Sequence, residues 1–127
     1  MQTLKKVELK LEGNVPSKKN SRINRGDGVS FPSRRFVDRQ QSALLQVRMQ
    51  TRERFFNPVA VDATIIFGTN ARAYLDNRLT SILDMLVEAL VLRDDKWQDV
   101  PQITVLALYN KGKPGAIIKI TELDEML

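Results

Sequence analysis

Residues 59–67 read VAVDATIIF, residue 68 is glycine, and residues 75–91 read LDNRLTSILDMLVEALV. The first segment is rich in β-branched residues and is stopped by Gly68, which predicts a strand. In the second, Leu75, Leu79, Ile82, Leu83, Leu86, Leu90 and Val91 recur at spacings of three, four, seven and eight. That is one apolar face of a helix. A strand followed by an amphipathic helix makes this an α/β chain.

Working outward, Val7, Leu9 and Leu11 alternate with Glu8, Lys10 and Glu12 up to Gly13, which predicts a first half-buried strand. Residues 14–36 are Pro, Ser, Gly, Asn and basic residues without sustained periodicity and read as a long basic loop. Residues 37–55 read as a helix with a thin apolar stripe, leaving Arg39, Arg48, Arg52 and Arg54 for solvent or ligand. Residues 103–109 and 116–120 read as strands joined by a Lys111-Gly112-Lys113-Pro114-Gly115 turn. The order is β-α-β-α-β-β. It predicts an α+β two-layer sandwich, with two main helices covering one face of a mixed β-sheet. No repeat or boundary divides residues 1–127, and one domain is expected.

The chain has 20 Lys plus Arg against 15 Asp plus Glu, a formal net charge of +5. Between Asn14 and Arg54 the balance is ten basic residues to three acidic, so positive charge is concentrated there, as for a polyanionic partner. With no Cys and no His, the chain has no thiolate nucleophile, histidine general base, Ser-His-Asp triad or zinc site of the usual kind. Catalysis must run on carboxylates, Lys, Arg, Tyr or a metal held by oxygen. No apolar signal core opens the chain and no run approaches membrane-spanning length. A cytoplasmic protein without a membrane partner is expected.

The strongest chemical feature is Leu75-Asp76-Asn77 at the start of the helix, followed beyond its end by Arg93-Asp94-Asp95. Carboxylates are hard ligands suited to Mg²⁺ or Mn²⁺, and such an ion polarises phosphodiesters and activates water. A helix of about sixteen residues is about 24 Å long, however, so its two ends cannot share one ion unless the chain folds back or a second subunit supplies a carboxylate. The alternative is structural: Asp76 or Asn77 caps the helix, and Asp94 and Asp95 form a solvated turn.

Three ordered stations resemble the RusA family of Holliday junction resolvases. Val15-Pro16-Ser17-Lys18-Lys19-Asn20-Ser21-Arg22 is similar to its Pro-Ser-x-Asn loop. Leu75-Asp76-Asn77 with Leu83-Asp84-Met85-Leu86 resembles its Asp-Leu-Asp-Asn helix. Arg93-Asp94-Asp95 with Gln98 resembles its acidic pair and glutamine. The resemblance implies a homodimeric, Mg²⁺-dependent endonuclease that nicks four-way DNA junctions symmetrically. It also implies an origin in a phage or prophage. Asp76, Asp95 and Asp94 are then the catalytic metal ligands. Lys18, Lys19, Asn20, Arg22, Arg25, Arg34, Arg35 and Arg72 are the expected DNA contacts, suited to a partner recognised by shape.

Two positions depart from the family pattern: Tyr74 stands where it has its first aspartate, and Thr80 where it has a lysine. A phenol, protonated at neutral pH, is a poor Mg²⁺ ligand, and Thr80 brings no charge to the site. A RusA-like protein that binds branched DNA but cuts it poorly is therefore the second reading. A dimeric adaptor for an acidic protein is the third. For the remaining residues, Asn77 is read as a cap, Asp84 as structural, Tyr74 as packed on the sheet edge, and Trp97 as core or dimer interface.

Overall fold

The computed structural model describes residues 4–15, 22–24, 30–32, 34–70 and 72–123, with backbone alone for 22–24, 30–32 and 36. Its elements are β1 (Lys6–Glu12), β2 (Arg22–Asn24), β3 (Ser30–Pro32), α1 (Arg34–Gln50), β4 (Val59–Phe67), α2 (Leu75–Glu88), β5 (Gln102–Tyr109) and β6 (Gly115–Glu122). The sheet order is β1-β6-β4-β5, with β4 and β5 parallel and the other pairs antiparallel. It is a mixed four-stranded sheet with two helices, the expected α+β two-layer arrangement.

Alternation decides which face is buried. Leu9 and Leu11 of β1, Ala116, Ile118 and Ile120 of β6, and Val59, Val61, Ala63 and Ile65 of β4 line one side in register. Ala43, Leu44 and Val47 of α1 and Ile82, Leu83, Met85 and Leu86 of α2 close over them. Burying each large apolar side chain stabilises the fold by about 1.5–3 kcal/mol, so this face outweighs every local preference. The connection into β6 is equally constrained: a methyl group on Gly115 would stand 2.5 Å from the Leu11 carbonyl oxygen.

The two edges of the sheet are treated differently. On β1, the Gln50 carboxamide accepts from the Lys10 N–H at 2.7 Å and donates to its carbonyl at 2.6 Å. Gln46 does the same for Glu12 at 2.7 and 3.2 Å. Two glutamines of α1 thus occupy the place of a fifth strand. The opposite edge, β5, has no such cover among the described residues. Ile103, Leu106, Leu108 and Tyr109 are all exposed, and only Val105 packs against the core.

Three sequence expectations need correction. The long loop contains a short ribbon, β2–β3, with Ile23 opposite Phe31. It also ends earlier than expected, because Arg34 and Arg35 belong to α1. That helix starts three residues before 37 and stops at Gln50 rather than near 55, because Phe55 leaves it to bridge Leu92 and bury its ring. Finally, Trp97 is not core: it is 74% exposed.

Candidate active site

At the carboxyl ends of β4 and β5, Phe67, Thr69, Asn70, Ala73, Ala107, Leu108 and Tyr109 line a cleft of about 230 Å³. Ligands in open α/β sheets commonly bind beyond the carboxyl ends of parallel strands. The chain leaves β4 there, runs past Arg72 and enters α2. The helix N-cap is Tyr74, in extended conformation (φ −96°, ψ 122°) and with no side-chain capping bond. The expected cap at Asp76 or Asn77 is displaced because the helix begins at Leu75, whose packing on the core outweighs the roughly 1 kcal/mol of a good cap. Tyr74 is 73% exposed, not packed on the sheet edge.

Asp76 falls in the first turn of α2, where the helix dipole favours a negative charge. Its Oδ1 accepts from the Asn77 backbone N–H at 2.9 Å, and the side chain is otherwise exposed. Thr80, one turn on, donates its hydroxyl to the Asp76 carbonyl oxygen at 2.9 Å. The positive charge at this end comes instead from Arg78, which sequence reasoning passed over. Burial and the neighbouring Arg39 of α1 hold its guanidinium below the usual arginine value. Arg78 also lies over the Phe67 ring, 6.0 Å from its centroid. Two arginines from different helices that repel one another favour an anion between them. Only Arg78's spacing of two from Asp76 was visible beforehand.

At the far end, α2 closes with the Val91 N–H on the Leu86 carbonyl at 3.0 Å and the Leu90 N–H on Val87 at 3.0 Å. The chain then turns through Asp94 and Asp95. Asp94 accepts from the Asp95 backbone N–H at 2.8 Å and faces Lys96 at 3.6 Å. The bond from the Asp95 N–H is the main reason its carboxyl lies below the ordinary value. Asp95 is shifted upward by desolvation, then by its contact with Asp94, then by the charges of Asp94 and Asp84. Asp84 on α2, expected to be merely structural, is thus within electrostatic reach of Asp95.

The 14 residues of α2 span about 21 Å, so Asp76 and the acidic pair flank the helix rather than meet. Among the described residues, no three carboxylates gather closely enough in one chain to hold a metal ion. Of the expected DNA contacts, Arg34 and Arg35 are exposed on the first turn of α1 and Arg72 is exposed before α2. Arg22 lies on β2, where only the backbone is described, and Lys18, Lys19, Asn20 and Arg25 lie outside the described residues. No described helix is long and apolar enough to cross a membrane.

No family model matches the chain. It is similar to a protein named crossover junction endodeoxyribonuclease RusA from Aquifex aeolicus (strain VF5), at 27% identity over 118 residues, 92% of each chain. A likeness running through nearly the whole of both chains supports this chain's membership of the RusA family.

Proposed function

We propose that the protein is a homodimeric endodeoxyribonuclease of the Holliday junction resolvase type, cutting branched DNA with Mg²⁺ or Mn²⁺ held by Asp76, Asp95 and Asp94. One observation carries the reading: the two acidic poles lie towards opposite ends of an open edge strand. Because β4 and β5 run parallel, the start of α2 lies beyond the Tyr109 end of β5, while Asp94 and Asp95 precede its Gln102 end. Two copies pairing antiparallel through β5 about a two-fold axis set the Tyr109 end of each beside the Gln102 end of the other. Asp76 of one copy then approaches the acidic pair of its partner, at two equivalent places. A junction with two opposed strands to cut has the same symmetry.

The donor set suits the ion. All the ligands are carboxylate oxygens, and a cation would offset the charges of Asp94 and Asp84 that, after desolvation, help to raise Asp95. When bound, a divalent metal supplies Lewis-acid polarisation of the phosphodiester and a more acidic water. The chain's own residues position the substrate: Arg78 and Arg39 take a phosphate beside Asp76. Lys18, Lys19, Asn20, Arg22, Arg25, Arg34, Arg35 and Arg72 hold the flanking backbone without reading sequence.

Tyr74 favours a second reading, in which the dimer binds branched DNA and cuts it poorly. A labelled four-way junction incubated with Mg²⁺, Mn²⁺ or EDTA separates the two. The proposal expects cleavage with either metal and none with EDTA, lost in Asp76→Asn and in Asp95→Asn while junction binding persists. Tight binding without cleavage in any metal selects the second reading.

A further inference from the structure

On the side of the molecule where both helices end lies a second basic surface. Arg48, Thr51, Arg52, Glu53, Arg54 and Leu90 line a depression of about 260 Å³. At Arg54 and Leu90 it continues into another of about 190 Å³, walled by Phe56 and Arg93. Glu53 is already matched by Lys5 at 3.3 Å, and Arg93 by Asp99 at 2.7 Å. Arg48, Arg52 and Arg54 are exposed and make no ion pair with a described residue. Phe56 is 65% exposed between them and the acidic turn.

The shared wall is held at a cost. Leu90 has φ +65°, and no other described non-glycine residue has a positive φ. An L-residue is strained in this region, where helices usually end on glycine. Here a leucine side chain, more than half exposed, lines both depressions instead. The groove also points somewhere. Phe55 bridges Leu92, its N–H donating to the Val91 carbonyl at 2.9 Å, so residues 54–56 run beside 91–93 and the groove opens next to Asp94.

We infer that this groove holds an unpaired DNA strand, with Arg48, Arg52 and Arg54 on successive phosphates and a base stacked on Phe56, leading towards the acidic pair. The inference rests on the DNA reading above. A positive track beside an exposed aromatic ring is how single strands are held without sequence preference. A duplex hides its base faces from Phe56, and an acidic peptide has no use for the ring.

The test uses anisotropy of a labelled oligo-dT strand and of a blunt duplex on the full chain. The triple variant Arg48→Gln/Arg52→Gln/Arg54→Gln should weaken oligo-dT binding at least about tenfold and flatten its log–log salt slope by about 2, three contacts at about 0.7 each. The corresponding Arg→Lys triple should keep the slope. Phe56→Ala should weaken oligo-dT about five- to tenfold, leave the duplex unchanged, and be rescued by Phe56→Trp. All four side chains are exposed, and circular dichroism checks folding. Wild-type oligo-dT affinity in the Gln triple overturns the groove. So does an unchanged affinity in Phe56→Ala, which reduces the surface to a plain phosphate patch. Equal, Arg-dependent binding of a poly-glutamate peptide would assign it to an acidic protein segment. Junction cleavage scored on the same preparations keeps the two readings apart. Groove effects without cleavage sink only the nuclease, and cleavage without groove effects sinks only the groove.

Discussion

Tyr74 holds the position where one aspartate side chain would serve both the helix and the metal. As N-cap of α2 its side chain accepts from none of the first-turn N–H groups, of which that of Asn77 is met by Asp76 instead, and it offers no carboxylate. Because the ring is mostly exposed, replacing it removes little packing. Tyr74→Asp should therefore raise unfolding stability by about 0.5–2 kcal/mol, measured by urea denaturation. Combined with Thr80→Lys it should speed junction cleavage at least about tenfold, equivalent to about 1.4 kcal/mol of barrier. A folded double variant that is more stable but no faster would show that position 74 matters to the helix alone. At the other pole, the Asp95 carboxyl, raised by desolvation and then by its acidic neighbours, costs stability once ionised, and that cost disappears as pH falls through its raised pKa. Asp95→Asn should accordingly keep or slightly raise the stability of the metal-free protein while stopping cleavage.

Elements with strict alternation were legible before the structure. The strand over residues 59–67 is β4 as read, and the leucine face starting at Leu75 is α2, although the helix stops at Glu88, before Leu90 and Val91. What escaped depended on distant partners. Gln46 and Gln50 looked like ordinary helix surface, yet they satisfy the outward backbone groups of Lys10 and Glu12 on the β1 edge, a role that no pattern within α1 can signal. Phe55 looked like the last turn of a helix because its partner, Leu92, is 37 residues away. The end of α2 is the most testable case. Leu90 makes the bonds of a glycine-type helix terminus with a residue that dislikes them. Leu90→Gly should raise stability by about 1 kcal/mol, less the contribution of its partly buried side chain. An unchanged or lowered midpoint in denaturant would mean that the side chain's packing outweighs the strain.

At the scale of the molecule, asymmetry between the sheet edges organises the account. Natural edge strands are usually blunted by charge, proline, bulges or a cover, and β1 has its glutamines. β5 reads QITVLALY, with no charge and no proline, and is exposed along its length except at Val105. Leu106→Lys places a charge on that exposed strand without touching the core, so light scattering should find a dimer in the parent and a monomer in the variant. A dimeric Leu106→Lys would move the interface elsewhere. The acidic residues of the candidate site were legible in sequence, as was the difficulty that one helix separates them. Its arginine pair, Arg39 and Arg78, was not, because it forms only when α1 and α2 pack together.

A composite site makes an unusual demand on a mixture of two dead enzymes. Asp76→Asn and Asp95→Asn chains, mixed and allowed to exchange, form heterodimers in which one site carries both substitutions and the other carries neither. If Asp76 of one copy works with Asp95 of its partner, Mg²⁺-dependent nicking of a four-way junction should reappear at about a quarter of the parent rate, since half the dimers are mixed and each has one live site. The nicks should fall on one strand per junction. No recovery from a mixture that demonstrably exchanges subunits, with the parent protein active, would contradict the shared site.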